Sequence, residues 1–275
     1  MNAGHGVSAA ERVLLHERLV VGTGLAALTV LAWAYIWSGA GTGMPAPEMT
    51  TLALFPHLRP DSMPGMMDSS PFGWIAGVGM WWVMMIAMMT PGAAPLVLLY
   101  GRVVRHHGGE APSPAVFASS IYLTAGYLAA WLAFSLAAAA LQRVLQPAGL
   151  TSATMLWSKS AALSAGVLAA AGLYQLSPLK SACLRRCRGP VAFLTRYWRP
   201  GRLGALVIGL RHGAWCVGCC WMLMALLFVG GVMNLVWIAA LGVLVLVEKL
   251  TPAGPRVSKA SGMVLLAWAA ATVAV

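Results

Sequence analysis

The run Arg211-His-Gly-Ala-Trp-Cys-Val-Gly-Cys-Cys-Trp221 concentrates the reactive side chains of this sequence, holding one histidine and three of the five cysteines. At helical spacing His212, Cys216, Cys219 and Cys220 fall within an arc of roughly 100°. An imidazole and several thiols on one stripe suit a soft metal or a redox couple, and buried inert thiols are the plain alternative. Successive turns put the β-carbons of His212 and Cys216, and of Cys216 and Cys220, about 5–6 Å apart. Either pair can therefore close on one ion through bonds of roughly 2 Å. A structural zinc site needs four ligands on a closed tetrahedron, which an apolar helix does not supply, so zinc is less favoured than Cu(I). The C-x-x-C-H pattern of haem attachment is absent. Cys216 and Cys219 have the thioredoxin spacing but lack a soluble βαβ setting.

Thioethers are the second soft-ligand set. Met80, Met84 and Met88 repeat at four-residue intervals, as do Met85 and Met89, so they form two adjacent stripes on one helix. A methionine stripe is ordinarily core packing; as ligands these side chains would favour Cu(I). Pro91 follows at once and opens the backbone ladder near Ala87, predicting a kink. Secondary candidates are Met63, Met66 and Met67 in a proline-rich segment, and Cys183 with Cys187, four residues apart in a basic one. The plain readings are a loop packed on the bilayer surface and a basic helix on anionic lipid.

The elements that must carry these residues are apolar helices. The chain has 275 residues, of which 60% are hydrophobic and 9% charged, and its mean hydropathy is +0.78. A soluble domain carries about 25% charged residues, so the expected fold is an all-α, polytopic helical membrane bundle. Seven spans are predicted, at about Leu19–Ser38, Phe72–Leu99, Phe117–Leu145, Ala153–Leu176, Leu206–Val229, Val232–Val247 and Gly262–Val275. With the N-terminus cytoplasmic, fifteen of the eighteen lysines and arginines lie on the inner side, leaving only Arg59, Arg143 and Lys159 outside. This bias accounts for the net charge of +11 through topology, without nucleic acid. The domain reading is a cytoplasmic N-terminal segment, 1–18, and one transmembrane domain, 19–275, with an outer loop at 39–71 and a basic inner loop at 177–205. The cysteines then sit on the inner, reducing side, against a disulfide framework.

The combination of Met84-Met-Ile-Ala-Met-Met-Thr-Pro91, Tyr174-Gln-Leu-Ser-Pro-Leu-Lys180, Cys183-Leu-Arg-Arg-Cys187, Gly213-Ala-Trp-Cys-Val-Gly-Cys-Cys-Trp-Met-Leu-Met224, Gly230-Gly-Val-Met-Asn-Leu235 and Glu248-Lys249-Leu250 resembles a bacterial family of predicted metal-binding integral membrane proteins. The likeness runs from about Trp74 to Leu250. It implies a multi-span inner-membrane protein that binds metal, with copper the usual suggestion, and it supplies no catalytic residues. The order of outer Met-x-x-Met, membrane Met-x-x-x-Met and inner His/Cys cluster also resembles that of eukaryotic copper importers, in pattern alone.

The sequence thus points to Cu(I) handling in the bacterial inner membrane, by delivery to a copper-receiving protein or assembly of a copper enzyme. The bilayer is one partner, and a copper-delivering or copper-receiving protein the other. No ionisable side chain is read as lining a span, which ranks delivery above a copper permease. The alternative from another class is a thiol–disulfide oxidoreductase using Cys216 and Cys219. Glu248 is expected at the interface, paired with Lys249, Arg211 or solvent, and Asn234 is expected to bond across helices.

Overall fold

The computed structural model describes residues 9–40, 47, 50, 71–107, 113–152 and 157–275. Met63, Met66 and Met67 lie outside them, as does most of the 39–71 loop. The described residues form helices α1 (Ala9–Trp37), α2 (Pro71–His107), α3 (Ser113–Leu145), α4 (Ala161–Leu176), α5 (Pro178–Arg188), α6 (Pro190–Tyr197), α7 (Gly201–Ala225), α8 (Leu227–Gly230), α9 (Leu235–Leu250) and α10 (Gly254–Ala274). Among them there is no strand, only an isolated antiparallel bridge between Thr151 and Ser158. The all-α bundle is as the composition requires.

The helix boundaries differ from the apolar runs where local polar chemistry intervenes. The expected span from Ala153 starts later, at Ala161, because the Ser160 hydroxyl accepts from the Leu163 N–H at 3.3 Å and caps the helix there. Ser177 ends α4 and caps α5, accepting from the Lys180 N–H at 3.1 Å, with Pro178 at the first helical position. The two helices meet at a bend of 64°. Within the 177–205 segment lie α5, α6 and the start of α7. The final helix opens eight residues before Gly262, at Gly254. Asn234 accepts from the Trp237 N–H at 3.3 Å as the N-cap of α9 and donates to the Gly230 carbonyl at 3.2 Å.

Five of the described helices, α1, α2, α3, the α7–α8 run and α10, are long and apolar enough to cross a membrane, and the bent α4–α5 pair would make a sixth. By themselves α4 and α9 have 16 residues each, about 24 Å against a hydrocarbon core of about 30 Å. That shortfall separates the structure from a simple count of seven apolar runs.

Small residues set which helices touch. On α3 and α7 a β-carbon at Gly126 or Gly209 would collide with the backbone carbonyl of Leu206 or Leu123, and one at Gly213 would lie 2.6 Å from Ala130 Cβ. Gly209-x-x-x-Gly213 thus lets α7 lie backbone to backbone on α3. Gly172 and Gly262 do the same for α4 and α10, each blocked by the other's carbonyl. Helix α2 packs on α3 and α9, and α5 crosses the cysteine face of α7. The interior so formed is filled by Trp81, Trp131, Met84, Met85, Met88 and Met89, each at most 2% exposed.

Candidate metal centre

Helix α7 delivers Cys216, Cys219 and Cys220 to the interior, all about 1% exposed. Cys220, one turn beyond Cys216, faces α2, its Sγ 4.0 Å from Met89 Sδ and 3.0 Å from its own helix's Cys216 carbonyl. Tyr127, from α3, binds both sides of the gap. Its hydroxyl is 3.0 Å from Cys216 Sγ and donates to the Met89 carbonyl at 3.0 Å. The tyrosine therefore fixes the spacing between the methionine helix and the cysteine helix.

Lys249, in the last turn of α9, enters the same pocket. Its ammonium donates to Cys216 Sγ at 2.8 Å and to Met89 Sδ at 3.8 Å. The side chain reaches the pocket across Gly92, where an added β-carbon would stand 3.3 Å from Lys249 Cδ. Glu248, next in the chain, points elsewhere. Its carboxylate takes the Lys180 ammonium at 2.6 Å and the Gln175 amide at 2.8 Å, and Gln175 also donates to Ser261 at 2.8 Å. Two corrections follow. Glu248 is 1% exposed and pairs with Lys180, not with Lys249, Arg211 or solvent. Ionisable groups do line the interior: Lys180, Glu248 and Lys249 are 1%, 1% and 6% exposed. A charged group can be buried this far only against a partner, and the bend at Ser177–Pro178 aims Lys180 at its partner.

The remaining candidates are dispersed around this pocket. His212, one turn before Cys216, packs its ring between Tyr127 and Phe193, at centroid distances of 5.8 and 5.1 Å. Its Nδ1 is buried with no hydrogen-bond partner. Cys219 turns its thiol onto the Cys216 carbonyl at 3.1 Å and has Cys187 of α5, Cys216 and Cys220 as side-chain neighbours. Cys183 is buried, with Sγ 3.2 Å from where a β-carbon on Gly218 would sit. The Cys183/Cys187 pair therefore backs onto α7. Met88 lies over Gly242 of α9, its Cγ 3.6 Å from an added β-carbon there. Met80, Met84 and Met85 are buried in the main core, where Trp81 meets Phe228 at 5.1 Å. Among the described residues no three His, Cys, Asp or Glu side chains converge as a metal-holding group. The third soft atom beside Cys216 and Cys220 is a thioether.

Two members of the pocket escape the sequence reading. Tyr127 leaves no pattern, being one of five aromatics in an alanine-rich helix. Lys249 does leave a signal, a lysine beside an acid at the end of an apolar run, and a charge so placed marks a site when it turns inward.

Fold and pocket together define an all-helical bundle built around a buried, sulfur-rich centre with one lysine in it. The family model for PpoB2, described as a copper chaperone, matches residues 78–272, and this chain belongs to that family. The match takes in every helix from the methionine stripe onward, and so extends beyond Leu250 through most of α10. No curated protein matches the chain, and no solved structure does.

Proposed function

We propose that this protein resides in the bacterial inner membrane and holds one Cu(I) between the thiolates of Cys216 and Cys220 and the thioether of Met89, for hand-over to a copper-receiving protein. The observation that carries this reading is the 4.0 Å separation of Cys220 Sγ and Met89 Sδ. Three sulfurs at about 2.3 Å from a central soft ion stand about 4 Å from one another. Two thiols and a thioether select Cu(I) over hard cations. Tyr127 holds the two helices at this spacing, so little reorganisation is needed to load the ion.

Delivery is favoured over permeation by the family description and by the lysine that reaches into the sulfur pocket. A cation fixed beside the ligands opposes passage of further cations more than it opposes retention of one. The inner-membrane assignment rests on the fifteen-to-three distribution of basic residues and on the five long apolar helices. His212 packs on Tyr127 beside the centre, Cys219 lies next to Cys216, and Cys187 and Cys183 lie behind Cys219 and Gly218.

Detergent-purified full-length protein titrated with Cu(I) against a chromophoric chelator tests the proposal. One equivalent of Cu(I) binds, with sulfur-only coordination by X-ray absorption, and Cys216→Ser with Cys220→Ser abolishes it. Undiminished binding in that double variant would remove the centre from consideration.

A further inference from the structure

The lysine in the pocket carries information about the metal itself. Lys249 is 6% exposed, and its ammonium hydrogen-bonds to sulfur: Cys216 Sγ at 2.8 Å and Met89 Sδ at 3.8 Å. The nearby carboxylate of Glu248 is committed to Lys180 at 2.6 Å, so that pair is neutral as a unit and leaves sulfur, not a carboxylate, to balance the charge of Lys249. Gly92 leaves the passage its methylenes occupy. The chain thus places one positive charge at the sulfur ligands and compensates the other buried lysine elsewhere.

We propose that Lys249 makes this centre selective for a monovalent soft metal, by supplying the single positive charge that a bis-thiolate complex of such an ion lacks. This rests on the proposed Cys216/Cys220/Met89 site. Two thiolates and one Cu(I) or Ag(I) carry a net charge of −1, the thioether adds nothing, and the ammonium brings the assembly to zero. Loading releases one proton for each thiol that was protonated, and the metal keeps its oxidation state. A divalent ion such as Zn(II) or Cd(II) neutralises two thiolates unaided. With Lys249 present it would leave a charge of +1 in a medium that solvates charge poorly. Lys249 therefore stabilises the monovalent complex and destabilises the divalent one at the same ligands. Thiolate softness alone does not make that distinction, since thiolates also bind Zn(II).

The test compares Ag(I), Cu(I) and Cd(II) binding by full-length wild-type protein, Lys249→Met and Lys249→Arg, each by competition titration in detergent. Wild type is expected to prefer Ag(I) and Cu(I) over Cd(II). In Lys249→Met, monovalent affinity falls on the order of 100-fold while Cd(II) affinity holds or rises. Lys249→Arg keeps the charge and restores the monovalent preference. An equal loss of all three metals in Lys249→Met would make the lysine a packing residue only, and unchanged Cu(I) affinity would also overturn the proposal. Should Lys249→Met not fold, Cd(II) binding by wild type as tight as Ag(I) binding overturns it directly. Failure of the underlying site is separately visible, as wild-type Cu(I) binding insensitive to Cys216→Ser with Cys220→Ser.

Discussion

Glu248→Gln is the sharpest probe of how α4, α5 and α9 are held together. The wild-type carboxylate joins Lys180 at 2.6 Å and Gln175 at 2.8 Å, with both ions about 1–2% exposed. The amide cannot balance the Lys180 charge, and one of its ends must be a donor where the carboxylate offered only acceptors. Breaking a buried ion pair by removing one partner costs about 3–5 kcal/mol, most of it from the orphaned charge. Lys180→Met together with Glu248→Gln removes both charges and should recover most of that loss. At roughly 2–4 °C per kcal/mol for a chain of this size, the single variant is expected to melt about 6–20 °C lower in detergent, and the double variant within a few degrees of wild type. Thermal melts of the four members of this cycle measure the coupling. A single variant that melts within about 2 °C of wild type would show that Lys180 finds water or another partner, and the reasoning would fail. So would a double variant no better than the single ones. The outcome bears on function because Glu248 and Lys249 share the last turn of α9, and anchoring one aims the other.

Two further outcomes separate ligand from scaffold. Met89→Leu keeps volume but removes the thioether, so Cu(I) affinity should fall about 10-fold or more, whereas Met84→Leu should leave binding within about threefold and cost less than about 1.5 kcal/mol of stability; equal effects in the chelator competition would dissolve the distinction between the two. Gly209→Val puts a branched side chain where even a β-carbon meets the Leu123 carbonyl; forcing α3 from α7 parts Tyr127 from Cys216, so melting temperature and Cu(I) affinity should fall together, and normal affinity in a folded variant would argue against Tyr127 as the spacer.

Much of this was legible without coordinates. Helical class follows from composition, because a chain so poor in charge must satisfy its backbone internally wherever it is buried. The methionine stripe and the cysteine run were legible as soft-ligand candidates, because periodicity puts residues four apart on one face whatever surrounds the helix. Helix ends were less legible, since Ser160 and Ser177 interrupt apolar runs with hydrogen bonds that hydropathy does not register.

What periodicity cannot supply is the opposite wall. Cys216, Cys219 and Cys220 share an arc on α7, yet Cys220 meets Met89 of α2, Cys216 meets Tyr127 of α3 and Lys249 of α9, and Cys219 meets Cys187 of α5, because different helices flank that arc. Of five stripe methionines, Met89 is the one whose sulfur reaches the thiols, a consequence of the register that Tyr127 fixes through its bonds to Met89 and Cys216. Adjacent residues Glu248 and Lys249 point about 100° apart on a helix, so one joins Lys180 and the other enters the sulfur pocket. The sequence determined which atoms could bind a soft metal; the packing of α2, α3, α5 and α9 around α7 decided which of them face one another, since contacts between helices depend on register and crossing, which no single helix encodes.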